Sequence, residues 1–160
     1  MLSKLGILSP QIENNVANSL YKMITSITDL QPSEWTYPLI VKPSDRSGSL
    51  GVTKVLEPEE LTPSVEKALL GSFKKEAMVE EFIEGREISV EFISYNGKHY
   101  PLQITDKVTT EAPHFVELEH HQPSTLSTEM FEKIYSITNK ALNALGITDG
   151  ASHSEYKITK

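Results

Sequence analysis

The 160-residue sequence predicts an α+β fold in which largely antiparallel sheets are covered by packed helices. Three observations lead there. β-branched and aromatic residues concentrate in the runs 77–82, 87–94 and 99–105. Asn96-Gly97, between the second and third runs, is the signature of a two-residue type I′ hairpin, which makes that pair antiparallel. Apolar residues then take up a helical period at Leu126, Met130, Ile134, Ile137, Ala141 and Leu145. Runs of strands followed by a helix, rather than strand-helix alternation, exclude a parallel dinucleotide-binding sheet.

The remaining elements follow in chain order. Residues 1–10 begin within apolar patterning and turn at Gly6 and Pro10. Val16, Leu20, Met23, Ile24 and Ile27 have helical spacing and predict an amphipathic helix capped by Asn14 or Asn15. Residues 38–41 read as a strand that returns over 51–56, a hairpin-like pair with a glycine-rich loop at its tip. Thr62-Pro63 reads as the cap and first position of a helix with Val65, Leu69 and Phe73 on its buried stripe and Gly71 near its end. Residues 107–123 are polar and turn-rich around Phe115-Val116, with no backbone path implied. Ser127 is the expected cap, and Gly146 the expected stop, of the helix over 126–145.

Composition narrows the functional classes. Hydrophobic residues make up 38% and charged residues 23% of the chain, and no apolar run approaches the roughly 18–20 residues that cross a bilayer. The formal net charge of -7 and pI near 5.2 argue against a broad nucleic-acid surface, which needs clustered lysine and arginine. Without cysteine there is no disulfide framework or sulfur-ligated zinc. Residues 1–10 also lack the pattern of a secretory signal. A soluble, cytoplasmic protein with no nucleic-acid or membrane partner is expected, and nothing specifies an oligomeric state. His114, His120, His121 and His153 form no closed ligand pattern, which favours structural or substrate-lining roles over a zinc site.

The chemistry concentrates in residues 37–52. The apolar run Leu39-Ile40-Val41 delivers Lys42 to the mouth of Pro43-Ser44-Asp45-Arg46-Ser47-Gly48-Ser49-Leu50-Gly51. Gly48 and Gly51 permit tight backbone geometry in which exposed N–H groups cradle phosphate oxygens. Arg46, Ser47 and Ser49 add possible donors; the alternative is a solvated edge lysine beside a mobile surface loop. The lysine precedes the glycines, so this is neither a Walker A loop nor a G-x-G-x-x-G fingerprint.

The order of strand, lysine, glycine-rich hairpin and acidic-aromatic strand resembles the ATP-grasp fold. The likeness is greatest to its carboxylate-amine ligase branch, which includes relatives of carbamoyl phosphate synthetase and biotin carboxylase. The resemblance implies two α+β lobes that hold ATP between their sheets, with magnesium ion (Mg2+) as the metal. Residues 1–36 would be an N-terminal linker and helix, 37–83 the glycine-loop lobe and 84–160 an incomplete C-terminal lobe. Lys42 matches the lysine that contacts phosphate and the purine side of the pocket, and Ser47, Gly48, Ser49 and Leu50 the lid, with Gly51 at its foot. Glu80, Glu81, Phe82 and Ile83 match the strand connecting the lobes. There Glu80 and Ile83 meet the adenine edge, and Phe82 supports the apolar pocket. Glu87 matches the acid that binds ribose hydroxyls, with Glu84 and Glu91 less specific. Glu155, in the run Gly150-Ala151-Ser152-His153-Ser154-Glu155, matches the first magnesium ligand, and His153 is placed to support it. No catalytic residue is fixed; Arg86 and Lys107 are the candidates, Arg86 to orient this region or meet phosphate and Lys107, with Thr109, to line the phosphate or acceptor side. Ordinary surface roles stay open for Glu87, Lys107, Thr109 and Glu155, and a plain amphipathic strand stays open for residues 80–83.

The second metal acid of the family's Glu-x-Asn-x-Arg segment, the earlier nucleotide lysine and the substrate lobe have no match. The chain therefore reads as the ATP-binding core of a longer enzyme, truncated at both ends, whose missing flanking domains supply the rest. In the intact enzyme a substrate carboxylate would attack the γ-phosphate of Mg-ATP, and an amine or thiol would capture the acyl phosphate. The isolated chain is expected to show little or no turnover. The alternatives are a non-catalytic nucleotide-binding or regulatory module and a structural interaction domain.

Overall fold

The computed structural model describes residues 19–110 and 115–159. Their elements are β1 (Tyr21–Ile24), β2 (Leu39–Pro43), β3 (Thr53–Val55), α1 (Pro58–Gly71), β4 (Ala77–Glu81), β5 (Arg86–Tyr95), β6 (Lys98–Thr109), β7 (Glu117–His121), α2 (Thr128–Ala144) and β8 (Gly150–Ile158). The 3-10 turns Ile27–Asp29 and Pro32–Glu34 follow β1. The described residues fall into two units, 19–83 with 109–117, and 84–108 with 118–159. No helix among them is long and apolar enough to cross a membrane.

The first unit is a four-stranded sheet in the order β1-β4-β2-β3, antiparallel at every pairing. Alternation along β2 turns Leu39, Val41 and Pro43 into the core and leaves Ile40 and Lys42 on the opposite face. Leu39 and Val41 pack with Ile24, Val55, Ala77 and Val79 of the sheet against Leu61, Val65 and Ala68 of α1. The expected hairpin of two strands around the glycine loop is present as β2 and β3.

Two expectations change in this unit. The part of the first predicted helix that falls among the described residues is instead the strand β1, paired along its length with β4. The sheet prevails because Ile24 enters the core opposite Ala77 while the backbone completes the ladder. The rest of that helix, its Asn14 or Asn15 cap and the turn at Gly6 and Pro10 lie outside the described residues. Helix α1 also starts earlier than Thr62-Pro63 suggested, with Glu57 at the cap and Pro58 at the first position. The Glu60 carboxylate reaches back to accept the Leu56 N–H at 2.8 Å. Pro63 lies inside the helix. Val65 and Leu69 face the core as expected, but Phe73 lies beyond the helix and is 75% exposed.

The second unit is a sheet in the order β7-β6-β5-β8, with β5 antiparallel to both β6 and β8. Asn96 and Gly97 form the tight turn of the β5–β6 hairpin, both at positive φ (+48° and +74°), as a type I′ turn requires. Ile88, Val90, Phe92 and Ile104 face α2 and pack on Ile134 and Leu142. At the start of α2 the Ser127 hydroxyl accepts the Met130 N–H at 3.3 Å. At its end the Gly146 N–H reaches the Asn143 carbonyl and the Ile147 N–H the Leu142 carbonyl, both at 3.0 Å. The segment without an implied path continues β6 through Thr109 and then forms β7.

Candidate functional site

In the first unit, the face away from α1 is assembled by strand register. Lys42 and Ile40 on β2 lie opposite Met78 and Glu80 on β4, and Ile40 also lies opposite Lys54 on β3. The Lys42 ammonium donates to Glu80 Oε1 at 2.5 Å, and both side chains are largely shielded from solvent. A charge pair so placed is oriented before any anion arrives, and its lysine stem is fixed by the strand.

The glycine loop after Lys42 has a tethered stem and an exposed tip. Ser44 donates its N–H to the Glu76 carbonyl and its hydroxyl to the Glu76 carboxylate, each at 3.1 Å. The Asp45 carboxylate accepts the Phe73 and Lys74 N–H groups at 3.2 and 2.8 Å. Arg46, expected as a phosphate donor, instead donates through Nε to the Gly71 carbonyl at 2.6 Å and stacks its guanidinium 3.7 Å from the Phe73 ring centroid. Those contacts hold the guanidinium at the stem of the loop. Ser47, Gly48 and Leu50 are exposed at the tip. Gly48 (φ +63°), Ser49 (φ +58°) and Gly51 (φ +79°) hold the left-handed backbone. At Gly51 a side chain would also lie 2.9 Å from the Pro43 ring, so glycine is required there twice over. The Ser49 hydroxyl donates to the Phe115 carbonyl at 2.8 Å, so it too has a structural partner.

At the far end of β4 the ladder runs out. Glu81 donates its N–H to the Leu20 carbonyl at 2.9 Å, and Phe82 its N–H to the Pro38 carbonyl at 3.2 Å. Ile83 follows, beyond the strand. The Lys54 ammonium sits 3.7 Å from the Phe82 ring centroid.

In the second unit the face away from α2 is polar. Strand alternation places Glu87, Ser89 and Glu91 of β5, Thr105 and Lys107 of β6, and His153, Glu155 and Lys157 of β8 on it. Lys107 is the hub. Its side chain is only 2% exposed, and its ammonium meets Glu155 Oε1 at 2.5 Å and Glu87 Oε1 at 3.4 Å. Lys157 donates to Glu87 Oε2 at 2.7 Å. His153 lies 3.0 Å from Glu91 Oε1 through Nδ1 and 3.5 Å from Glu155 Oε1 through Nε2. Burial by itself would raise the protonation point of Glu155, but the hydrogen bond and charge of Lys107, with His153 beside it, hold it below the ordinary value. Glu155 is thus kept as an anion.

Magnesium can be tested against these donors. Among the described residues no three His, Cys, Asp or Glu side chains converge on a metal position. Magnesium needs only one or two carboxylates when phosphates and waters complete its shell. Glu155 is an ionised hard-oxygen donor, and Glu91 Oε2, on the same face, is buried without a hydrogen-bond partner. The donor set fits.

Arg86 belongs to the other side of this sheet. Its guanidinium pairs with Asp106 and donates to the Thr125 hydroxyl at 2.6 Å. Asp106 also accepts the Ser124 hydroxyl at 2.6 Å and the Thr125 N–H at 3.0 Å. The structure therefore uses Arg86 to anchor the segment before α2, on the face opposite Lys107. Sequence reasoning missed Asp106, Glu91 as the partner of His153, Lys157 and Lys54. Alternation around Lys107 could have exposed the first, since a strand sends Asp106 and Lys107 to opposite faces. A surface hollow of about 420 Å3 at the start of α2, lined by Ser124, Leu126, Thr128, Phe131, Glu132 and Tyr135, contains none of the expected site residues. His120 and His121 are exposed on β7, with His121 2.6 Å from Glu119, and His114 lies outside the described residues.

Comparison with known proteins converges on one family. Residues 35–160 match the model of the ATP-grasp domain. The chain is 29% identical over 163 residues to an alanine–anticapsin ligase of Bacillus subtilis (strain 168), covering 87% of this chain and 34% of that protein. It is 34% identical over 123 residues to a D-alanine–D-alanine ligase of Prosthecochloris aestuarii, covering 70% and 32%. The crystal structure of an L-amino acid ligase from Bacillus licheniformis superposes with a TM-score of 0.83 at 28% identity, covering 98% of this chain and 36% of the other. A D-alanine–D-alanine ligase from Bacillus anthracis complexed with ATP shares the fold, at a TM-score of 0.74 and 20% identity over 96% of this chain and 49% of the other. The chain thus spans about a third of the length of these curated relatives. On a family match that takes in both units, the chain belongs to the ATP-grasp family.

Proposed function

We propose that this chain is the ATP-binding core of a magnesium-dependent ligase that joins a carboxylate to an amine or thiol through an acyl phosphate. The observation that carries the reading is the polar sheet face of the second unit, where buried Lys107 holds Glu155 ionised beside the orphaned oxygen of Glu91. Such a face has little value as core and is arranged for charged ligands. The names of the relatives point to amino acids as the carboxylate and amine substrates.

In this reading Lys42 and the backbone of the glycine-loop tip bind phosphate, while Ile83, past the end of the β4 ladder, offers its main chain to the adenine edge. Phe82 floors the base. Glu87, braced by two lysines, accepts a ribose hydroxyl. Glu155 and Glu91 would hold magnesium, which neutralises charge on the transferring phosphoryl group. Lys107 keeps the carboxylates Glu155 and Glu87 oriented. A carboxylate oxygen attacks the γ-phosphorus and ADP departs; the amine or thiol then attacks the acyl carbon, and inorganic phosphate leaves. Positioning and electrostatics suffice for such a transfer, and no side chain becomes covalently bonded. The matched region is about a third of the relatives' length, so the substrate-binding parts are assigned to segments beyond this chain, and the chain alone binds nucleotide with little or no turnover.

Calorimetric titration with ATP, with and without magnesium, tests the reading. The wild-type chain should bind, and Lys42→Ala should bind more weakly. If neither this chain nor a longer protein containing it bound any adenine nucleotide, the reading would be wrong.

A further inference from the structure

Charge on the open face of the first unit is unevenly distributed. Lys42, the cation expected to meet phosphate, is already paired with Glu80 at 2.5 Å, so together they add no net charge. Lys54 is different. It lies on the same face because it is directly opposite Ile40, the residue two before Lys42 on β2. Its ammonium rests on the face of the Phe82 ring, 3.7 Å from the centroid. A ring quadrupole orients a cation without cancelling its formal charge. An anion approaching this face therefore meets one compensated lysine and one uncompensated lysine.

Position along the strands says which part of an anion Lys54 meets. One pleat, about 6.6 Å of strand, separates its level from that of Lys42. The displacement runs away from the glycine loop and toward the end of β4 that carries Phe82 and Ile83. We propose that Lys54, carried on the Phe82 ring, is a second nucleotide-binding cation that contacts the phosphate nearest the ribose. The inference rests on the nucleotide reading above, in which the base lies at Ile83 and the terminal phosphates at the loop. It also gives Phe82 a second role, as the ring that holds the Lys54 ammonium over this face.

The test is competition binding of ATP, AMP and adenosine to the wild-type chain, Lys54→Ala, Lys54→Arg and Phe82→Leu, each first checked for native secondary structure. Lys54→Ala should weaken ATP and AMP by about tenfold, the lower end for a hydrogen bond to a charged group, and leave adenosine unchanged. Lys54→Arg should restore most of the loss. Phe82→Leu, which keeps the apolar floor but removes the ring, should lower AMP affinity more than adenosine affinity. Unchanged ATP and AMP binding in Lys54→Ala, or an equal loss for adenosine, would overturn the inference while leaving the nucleotide reading intact. Absence of binding by the wild type to all three ligands would overturn both.

Discussion

Replacing Lys107 with methionine removes the charge at the centre of the second unit's polar face while filling much of the volume of its stem. At an effective dielectric of about 20, the contacts at 2.5 and 3.4 Å to Glu155 and Glu87 correspond to gross attractions of roughly 7 and 5 kcal/mol. Most of that is offset by the cost of stripping water from an ammonium that is 2% exposed. Breaking a fully buried pair costs about 3–5 kcal/mol, because one charge is stranded. Here the stranded carboxylates are less isolated: Glu155 is 43% exposed, and Glu87 keeps Lys157. The expected net loss for Lys107→Met is therefore about 2–3 kcal/mol, near the lower edge of the buried-pair range. Urea unfolding reads it directly, and in a thermal scan it corresponds to a fall of about 4–12 °C. Lys107→Met combined with Glu155→Gln should cost less than the sum of the single variants, because the second change relieves the repulsion exposed by the first. Unchanged stability in Lys107→Met, or strict additivity in the double variant, would refute this description of the charge network.

Two further outcomes follow from the scaffold. Asp106→Asn should destabilise the second unit by about 2–3 kcal/mol, since the carboxylate accepts charge-assisted and neutral bonds from Arg86, Ser124 and Thr125 together. Burial opposes ionisation of Asp106, but the Ser124, Thr125 and Arg86 contacts outweigh it and lower its protonation point. Its contribution is thus complete above the unfolded value of about 3.9 and is lost as pH falls through the lower native value, so the gap between wild type and variant should narrow below about pH 4 in acid titration. Gly85→Ala would place a methyl 2.5 Å from the Ile158 carbonyl oxygen, against backbone rather than a movable side chain. It should cost about 1–3 kcal/mol, and the β5–β8 amides should lose hydrogen-exchange protection first.

Local rules made much of this architecture legible. Ser127 and Gly146 bound α2 because capping depends on hydrogen bonds within a few residues, and Asn96-Gly97 set the β5–β6 hairpin for the same reason. Where two local readings competed, tertiary context decided. Ile24 has helical spacing with its neighbours, yet β4 offers its segment a complete ladder. Pro63 satisfies a helix-start rule that Pro58 satisfies one and a half turns earlier. The glycine loop was recognisable from Lys42, Gly48 and Gly51, whereas the commitment of Arg46 to Gly71 and Phe73 depends on a contact 25 residues away that no local pattern encodes. The Lys107 hub is non-local in the same way, since Glu155 reaches it from a strand 48 residues later.

The most direct test of the central claim is the magnesium dependence of ATP affinity, measured by calorimetry in the wild-type chain and in Glu155→Ala. If Glu155 helps to hold the metal that accompanies ATP, magnesium should tighten ATP binding in the wild type and do so much less in the variant, while metal-free ATP should bind the variant at least as well as the wild type. An equal magnesium effect in both proteins would contradict that assignment and remove Glu155 from the site.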